Sequence, residues 1–252
     1  MFRRAIARKP GASAHRGLTT AGLGAPDIAL MQDQHEAYVR ALESLGVAVT
    51  LLEADERYPD GCFVEDVAVV TPDCIVITRP GAPSRRGEGA AIEPLLAAER
   101  PIARIEAPGS VEGGDVIVAG ERVLVGLSER TNADGASQLE TILSAHGYQV
   151  QPVPVAHGLH LKTDVNWLGG DRLLVTRGYT SRDELAGFAP LVVPEGEEYA
   201  ANSLCRGDRV LVPDGFPGTR ALLERAGFTV VALDASEFRK LDGGLTCLSL
   251  RL

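Results

Sequence analysis

The chain has little that would let it grip a polyanion. Of its 252 residues 34 are acidic and 25 basic, a formal net charge of -9, and nowhere do lysine and arginine gather into a stripe. A nucleic acid partner is therefore not expected; a cationic small substrate suits the charge better. No apolar run approaches the length of a membrane span, so no membrane association is expected. The N-terminus, MFRRAIARKPG, has arginines but no following apolar stretch. It reads as a first strand and not as a secretory signal. The four cysteines, Cys62, Cys74, Cys205 and Cys247, form no CxxC pair and no His/Cys cluster with zinc-ligand spacing. A reduced, cytoplasmic protein without a structural metal is the simplest account. No G-x-G-x-x-G follows a first strand, which removes the usual mark of an open dinucleotide-binding sheet.

What is there is a weak internal repeat. PDCIVIT (72–78), GERVLVG (120–126), GDRLLVT (170–176) and GDRVLVP (207–213) each pair a turn with an apolar strand. Each follows another strand, at 67–70, 115–119, 164–169 and 201–205, so each makes a hairpin. Helical patterns come next, at 87–99, 133–147, 181–188 and 218–227, and then a short third strand. A fifth copy is shared by the two ends: strand 246–251 and strand 2–8, helix 27–45 and strand VAVTLLE. Five α/β units completed by both ends of the chain suggest a closed ring. Hairpins alternating with helices do not suit an all-parallel sheet. With no linker or composition shift, residues 1–252 read as a single domain.

Polar residues collect where the hairpins begin, and a ring would turn these junctions toward one centre. In LDGGLTCLSLRL a period of two puts Cys247 opposite Leu248, Leu250 and Leu252, beside a glycine turn. A packing cysteine belongs on the apolar face, so Cys247 is a candidate nucleophile. In DGCFVEDVAVV, Asp60, Glu65 and Asp66 crowd three carboxylates, either a solvated loop or a pocket for a guanidinium. Arg85, with Arg86 as its rival, precedes the second helix, and Arg130 leads into a helix that Asn132 or Asp134 caps; a substrate carboxylate is one reading of Arg85. In GSVEGGDVIVAG, Glu112 precedes two glycines that permit close backbone approach or positive φ. In AHGLHLKTDVNW the same period of two puts His160 on the polar face with Lys162 and Asp164. There it can act as acid and base, with His157 as runner-up. A Cys, a His, a Glu with a neighbouring Asp and two Arg at equivalent junctions match a cysteine nucleophile for acyl- or amidine-type transfer.

FVEDVAVV, EGGDVIVAG, GLSERTN, LHLKTDVNWLG and LDGGLTCLSLR resemble, in order, the motifs of the dimethylarginine dimethylaminohydrolase family. That family belongs to the guanidino-group modifying enzymes with the pentein fold, a five-bladed α/β propeller. The resemblance covers nearly the whole chain. It implies Cys247 as nucleophile, His160 as general acid and base, and Glu112 as the acid that orients it, with Asp115 as the alternative. It further implies Glu65 and Asp66 holding the guanidinium, Asp60 contacting the substrate, and Arg85 and Arg130 gripping the substrate carboxylate. Leu18 falls in a loop that covers the site, and Leu241 offers a backbone carbonyl to the substrate amino group. Val67 stands where threonine is usual, and the last motif has one cysteine where some relatives have two. The implied reaction converts Nω-methylated arginines to citrulline through a thiouronium on Cys247, with no metal or organic cofactor. Two alternatives remain: another guanidino substrate, such as arginine or agmatine, and a non-catalytic binding module. Mono- against dimethylated preference and oligomeric state, a homodimer included, are left open.

Overall fold

The computed structural model describes residues 1–156 and 158–252. The chain opens with β1 (Arg4–Arg8), crosses over through α1 (Ile28–Ser44) and returns as β2 (Ala48–Leu52), parallel to β1. Asp27 caps α1 by accepting the amides of Ala29 and Leu30, satisfying donors the helix itself cannot. Met31, Tyr38 and Leu42 are spaced to share one face of α1, and all three are buried.

The second unit is β3 (Ala68–Val70), β4 (Ile75–Ile77), α2 (Glu93–Ala97) and β5 (Ile102–Arg104). The third is β6 (Val116–Ala119), β7 (Arg122–Leu127), α3 (Ala133–Ser144) and β8 (Gln149–Pro154). A one-turn helix, α4 (Leu161–Asp164), introduces the fourth: β9 (Val165–Gly169), β10 (Arg172–Val175) and β11 (Ala189–Val192). The fifth is β12 (Leu204–Arg206), β13 (Arg209–Pro213), α5 (Pro217–Arg225) and β14 (Thr229–Leu233). After α6 (Ser236–Arg239), the last strand β15 (Leu250–Arg251) pairs antiparallel with β1, Leu250 opposite Ile6. Each unit is thus a three-stranded sheet. The turn makes the first two strands antiparallel, and the crossover makes the third parallel to the second.

Closure of the ring is visible in the packing. Among the described residues five buried apolar clusters form, and each lies between neighbouring sheets. Val76 of the second sheet meets Val125 of the third; Leu124 of the third meets Leu173 of the fourth; Leu174 of the fourth meets Val212 of the fifth. Leu211 of the fifth meets Ala5 of the first, and Ile6 of the first meets Ile75 of the second. Every sheet therefore has two neighbours, as a five-bladed pentein propeller requires. The first-listed strand of each unit, with β15 for the first, faces the axis, and these five strands line a cavity of about 750 Å³.

The structure alters the local reading at four places. Residues 181–188 form only a 3-10 turn, Asp183–Leu185, and the helix expected over 87–99 breaks into a 3-10 turn, Glu88–Ala91, and α2. Residues 246–251 are not one strand: Thr246–Leu248 is a 3-10 turn, and only Leu250–Arg251 pairs. His160, Lys162 and Asp164 do not alternate along a strand either, because α4 occupies 161–164. The period-two arguments for Cys247 and His160 therefore fail, although both residues face the cleft described next. No helix among the described residues is long and apolar enough to cross a membrane.

Candidate active site

A short helical turn precedes the inner strand of every unit: Val64–Val67, Gly113–Asp115, Leu161–Asp164, Glu198–Ala201 and Thr246–Leu248. These turns meet at one end of the axis. Four of them carry or adjoin the polar residues that the sequence singles out.

Asp60, Asp66, Arg85, Arg130, His160, Cys247, Leu18 and Leu241 line one small cleft. Phe63, Leu159, Asp242 and Gly243 complete it. Asp242 and Gly243 belong to the glycine turn that the sequence places beside Cys247, whereas Phe63 and Leu159 were not singled out as site residues. His157 lies outside the described residues. Arg86 turns away and donates to the Pro80 carbonyl.

His160 stands immediately before α4, makes no capping bond to it, and is buried. Its Nε2 donates to Glu112 Oε2 at 2.7 Å. Asp115, the alternative partner, is engaged elsewhere: it accepts the Leu161 amide at 2.9 Å and the Ser128 hydroxyl at 2.7 Å. Burial by itself would push the imidazole pKa down. The charge of Asp66, the hydrogen bond to Glu112 and the charge of Asp115 outweigh burial and lift it to about 9. Glu112 answers in the opposite sense. Burial raises its pKa, but the bond to His160, with Arg85 and Arg130 nearby, brings it down to about 2. The pair is an imidazolium facing a carboxylate.

Gly114 makes this geometry possible. A Cβ there would lie 2.6 Å from His160 Nδ1 and 3.0 Å from Asp66 Oδ1. The paired glycines serve close approach, since neither has a positive φ. The Gly114 amide also donates to Asp66 Oδ1 at 2.8 Å.

The carboxylates of the second unit part company. Asp66 faces the cleft and forms a 2.5 Å ion pair with Arg85. Glu65 does not line the cleft, against the expectation that both hold a guanidinium. Its oxygens are taken by Lys162 Nζ at 2.6 Å, Thr246 Oγ1 at 2.7 Å and Arg251. Consecutive residues in a 3-10 turn point about 120° apart, so the two neighbours face different ways. Asp60 Oδ1 accepts the Leu18 amide at 2.9 Å, tying the N-terminal loop to the cleft wall. Burial pushes the Asp60 carboxyl up, against the pull of Arg85.

The two arginines also differ. Arg85 is buried, with Nε and Nη2 on Glu88, Nη2 also on the Phe63 carbonyl at 3.0 Å, and Nη1 on Asp66. Arg130 is partly exposed, and its nearest carboxylate, Glu112, lies 3.6 Å away. Cys247 sits in its 3-10 turn, buried, with Sγ accepting the Gly244 amide at 3.4 Å. Burial, then the charges of Glu65 and Asp66, push its thiol up to about 12. The same cleft thus holds a neutral thiol and an imidazolium.

Asp66, Glu112 and His160 bring three ligand atoms within 4.8 Å of one another. A metal there would have to displace the proton that the acidic surroundings keep on His160. The donor set suits a proton better than a cation.

Comparison with known proteins bears on what such a cleft does. Residues 27–181 match the family model described as N,N dimethylarginine dimethylhydrolase, eukaryotic. The N(G),N(G)-dimethylarginine dimethylaminohydrolase of Pseudomonas aeruginosa is 46% identical over the whole of both chains. That of Streptomyces coelicolor is 36% identical over 99% of this chain and 97% of its own. Among solved structures, the P. aeruginosa enzyme as a cysteine-to-serine mutant complexed with citrulline superposes with a TM-score of 0.97 at 45% identity, covering both chains fully. A histidine-to-glycine variant of dimethylarginine dimethylaminohydrolase, as an adduct with S-methyl-L-thiocitrulline, gives the same score, identity and coverage. The N-terminal domain of ArgZ, an arginine dihydrolase from cyanobacteria, shares the fold at 19% identity, with a TM-score of 0.88 over 98% of this chain and 97% of that one. A full-length relative of this similarity, a family model over more than half the chain and a shared five-bladed fold together place the protein in the dimethylarginine dimethylaminohydrolase family.

Proposed function

We propose that the protein hydrolyses Nω-methylated arginines to citrulline and the corresponding amine. The observation that carries this reading is a single cleft holding Cys247, the His160–Glu112 pair, the carboxylates Asp60 and Asp66, and the arginines Arg85 and Arg130. Such a lining suits a substrate that is cationic at one end and zwitterionic at the other. The relatives' complexes with citrulline and with S-methyl-L-thiocitrulline support it.

The substrate guanidinium binds at Asp66 and brings positive charge beside a thiol that burial and neighbouring carboxylates hold neutral. That charge lowers the thiol pKa, and binding is coupled to loss of the thiol proton. The Cys247 thiolate attacks the guanidinium carbon. His160 gives its proton to the departing methylamine or dimethylamine as the carbon–nitrogen bond breaks. An S-alkylthiouronium on Cys247 remains. His160, now neutral, takes a proton from water. The oxygen adds to the same carbon and the carbon–sulfur bond breaks; the proton left on that oxygen is released as the urea carbonyl forms, and the thiolate takes up a proton again as citrulline leaves. Glu112 keeps the imidazole oriented and its charge compensated throughout. Arg130, the less encumbered arginine, receives the substrate carboxylate; Arg85 mainly fixes Asp66.

The test is citrulline release from asymmetric dimethylarginine, monomethylarginine, arginine and agmatine, with wild type and Cys247→Ser. Turnover of methylated arginines, lost in the variant while its melting temperature holds, is the expected result. Preferred turnover of arginine would make the protein a deiminase. No turnover of any of the four would point to a binding module.

A further inference from the structure

The helical turn of the fifth unit carries none of the residues assigned above, yet it ends on a buried polar side chain, Asn202. Its amide is fully engaged. Nδ2 donates to the Lys162 carbonyl at 3.0 Å and to Thr246 Oγ1 at 3.1 Å, and Oδ1 accepts the Thr246 amide at 3.0 Å. Lys162 lies in α4, the helix that His160 opens. Thr246 is the residue before Cys247 and belongs to the same turn. One side chain is therefore bonded to the element bearing His160 and to the element bearing Cys247.

The bonds form a closed circuit. Thr246 Oγ1 donates to Glu65 Oε2 at 2.7 Å, and Glu65 Oε1 accepts Lys162 Nζ at 2.6 Å. The circuit runs from Lys162 through Asn202, Thr246 and Glu65 back to Lys162. Asn202 packs directly on the backbone before Cys247: a Cβ on Gly244 would collide with its amide group. Glycine at 244 is thus a requirement of Asn202 as much as of the turn.

We infer that Asn202 is a positioning residue that sets the separation of Cys247 from His160. The inference rests on the roles given to those two residues above. They come from different units of the ring, and no covalent link fixes one against the other. Attack and protonation must occur on one carbon and on the nitrogen attached to it, so a misplacement of an ångström is costly. Asparagine is the side chain that fits, since it offers two donors and one acceptor in a plane. Aspartate has the same shape and the wrong polarity. An oxygen in place of Nδ2 would face the Lys162 carbonyl and a threonine hydroxyl whose proton already goes to Glu65.

The test is steady-state citrulline release from monomethylarginine with melting temperatures measured in parallel, for N202A, N202D, T246V and T246S. Thr246→Val removes the hydroxyl link but keeps the backbone amide on Asn202, and Thr246→Ser restores the hydroxyl. The expected result for N202A, N202D and T246V is a kcat about 10- to 100-fold lower, with KM within about threefold. T246S should recover most of the loss. An unchanged kcat in N202A and N202D with lowered melting would show a packing role only and overturn the inference, as would a rise confined to KM. T246S as slow as T246V would also count against it. If N202A does not fold, N202D and T246V decide. A wild type that releases no citrulline removes the underlying reading, and this inference with it. An active wild type matched by N202A and N202D removes this inference alone.

Discussion

Arg85 is buried between two carboxylates, and that placement changes what its loss should do. A guanidinium has five N–H donors; three ion-pair contacts to Glu88 and Asp66 and one carbonyl use most of them. Arg85→Ala would strand Asp66 and Glu88 in a dry site, at a cost of about 3–5 kcal/mol. A large fall in denaturation midpoint is therefore expected together with loss of activity. Arg130→Ala strands nothing, so it should raise KM at least about tenfold with little change in melting, a tenfold loss being about 1.4 kcal/mol of binding. Kinetics and melting of both variants decide this. Equal melting of the two would refute the division of labour. The sequence offered Arg85 and Arg130 as equals because charge and loop position look alike in both; only the partners separate them. The His160–Glu112 pair yields a second expectation. The histidine pKa is raised to about 9 and the glutamate pKa lowered to about 2. The stabilisation they share is complete from about pH 4.5 to 6.5. It is lost as pH rises through about 9, where the folded protein gives up the imidazole proton. The stability advantage of wild type over Glu112→Gln, read from denaturant midpoints, should be large at pH 6 and small at pH 10. A difference that does not vary with pH would show that His160 is not held protonated.

The five short turns before the inner strands explain why part of the site was legible and part was not. The junctions could be found, because each stands between a polar cluster and an apolar strand. Their conformation could not, because three or four residues are too few to show a period, and alternation was read into 160–164 and 246–251 where the backbone turns instead. The direction of Glu65 was hidden for the same reason. The partner of Asn202 lay more than forty residues away in the chain, and no residue of the fifth unit's own junction had been singled out to draw attention to it. The glycines of EGGD were legible as a need for space, but not which atoms filled it. Gly114→Ala tests that point. Its Cβ would meet both His160 Nδ1 and Asp66 Oδ1, so turnover should fall about 100-fold or more as His160 is displaced. Ala at Gly120, where nothing lies within 4 Å but φ is +67°, should cost about 1 kcal/mol of stability and leave kcat unchanged. Activity retained in Gly114→Ala would mean that the cleft gives way more readily than its packing suggests.

No sheet of the ring owns a core; each apolar cluster belongs to two neighbours. The five-unit repeat was legible from turn and strand alternation, whereas this sharing was not, since it depends on which face of each sheet meets the next. Sharing has a thermodynamic consequence. Weakening one interface deprives two sheets of support, and the loss passes around the ring, so the chain should unfold as one domain in one step. Leu42→Ala provides the test. Leu42 is fully buried in the cluster between the fifth and first sheets, and its truncation should cost about 2–5 kcal/mol. The single tryptophan, Trp167, lies on β9 of the fourth sheet and packs against the cluster shared by the third and fourth. It therefore reports on a different interface from the one the substitution weakens. If the ring is one cooperative unit, tryptophan fluorescence and far-UV circular dichroism should lose their signals at the same, lowered denaturant concentration. If the fourth sheet held itself together, the fluorescence midpoint would stay at the wild-type value while the circular dichroism moved. The cleft would then sit on units that come apart separately, and the alignment of Cys247 with His160 could no longer be ascribed to the ring.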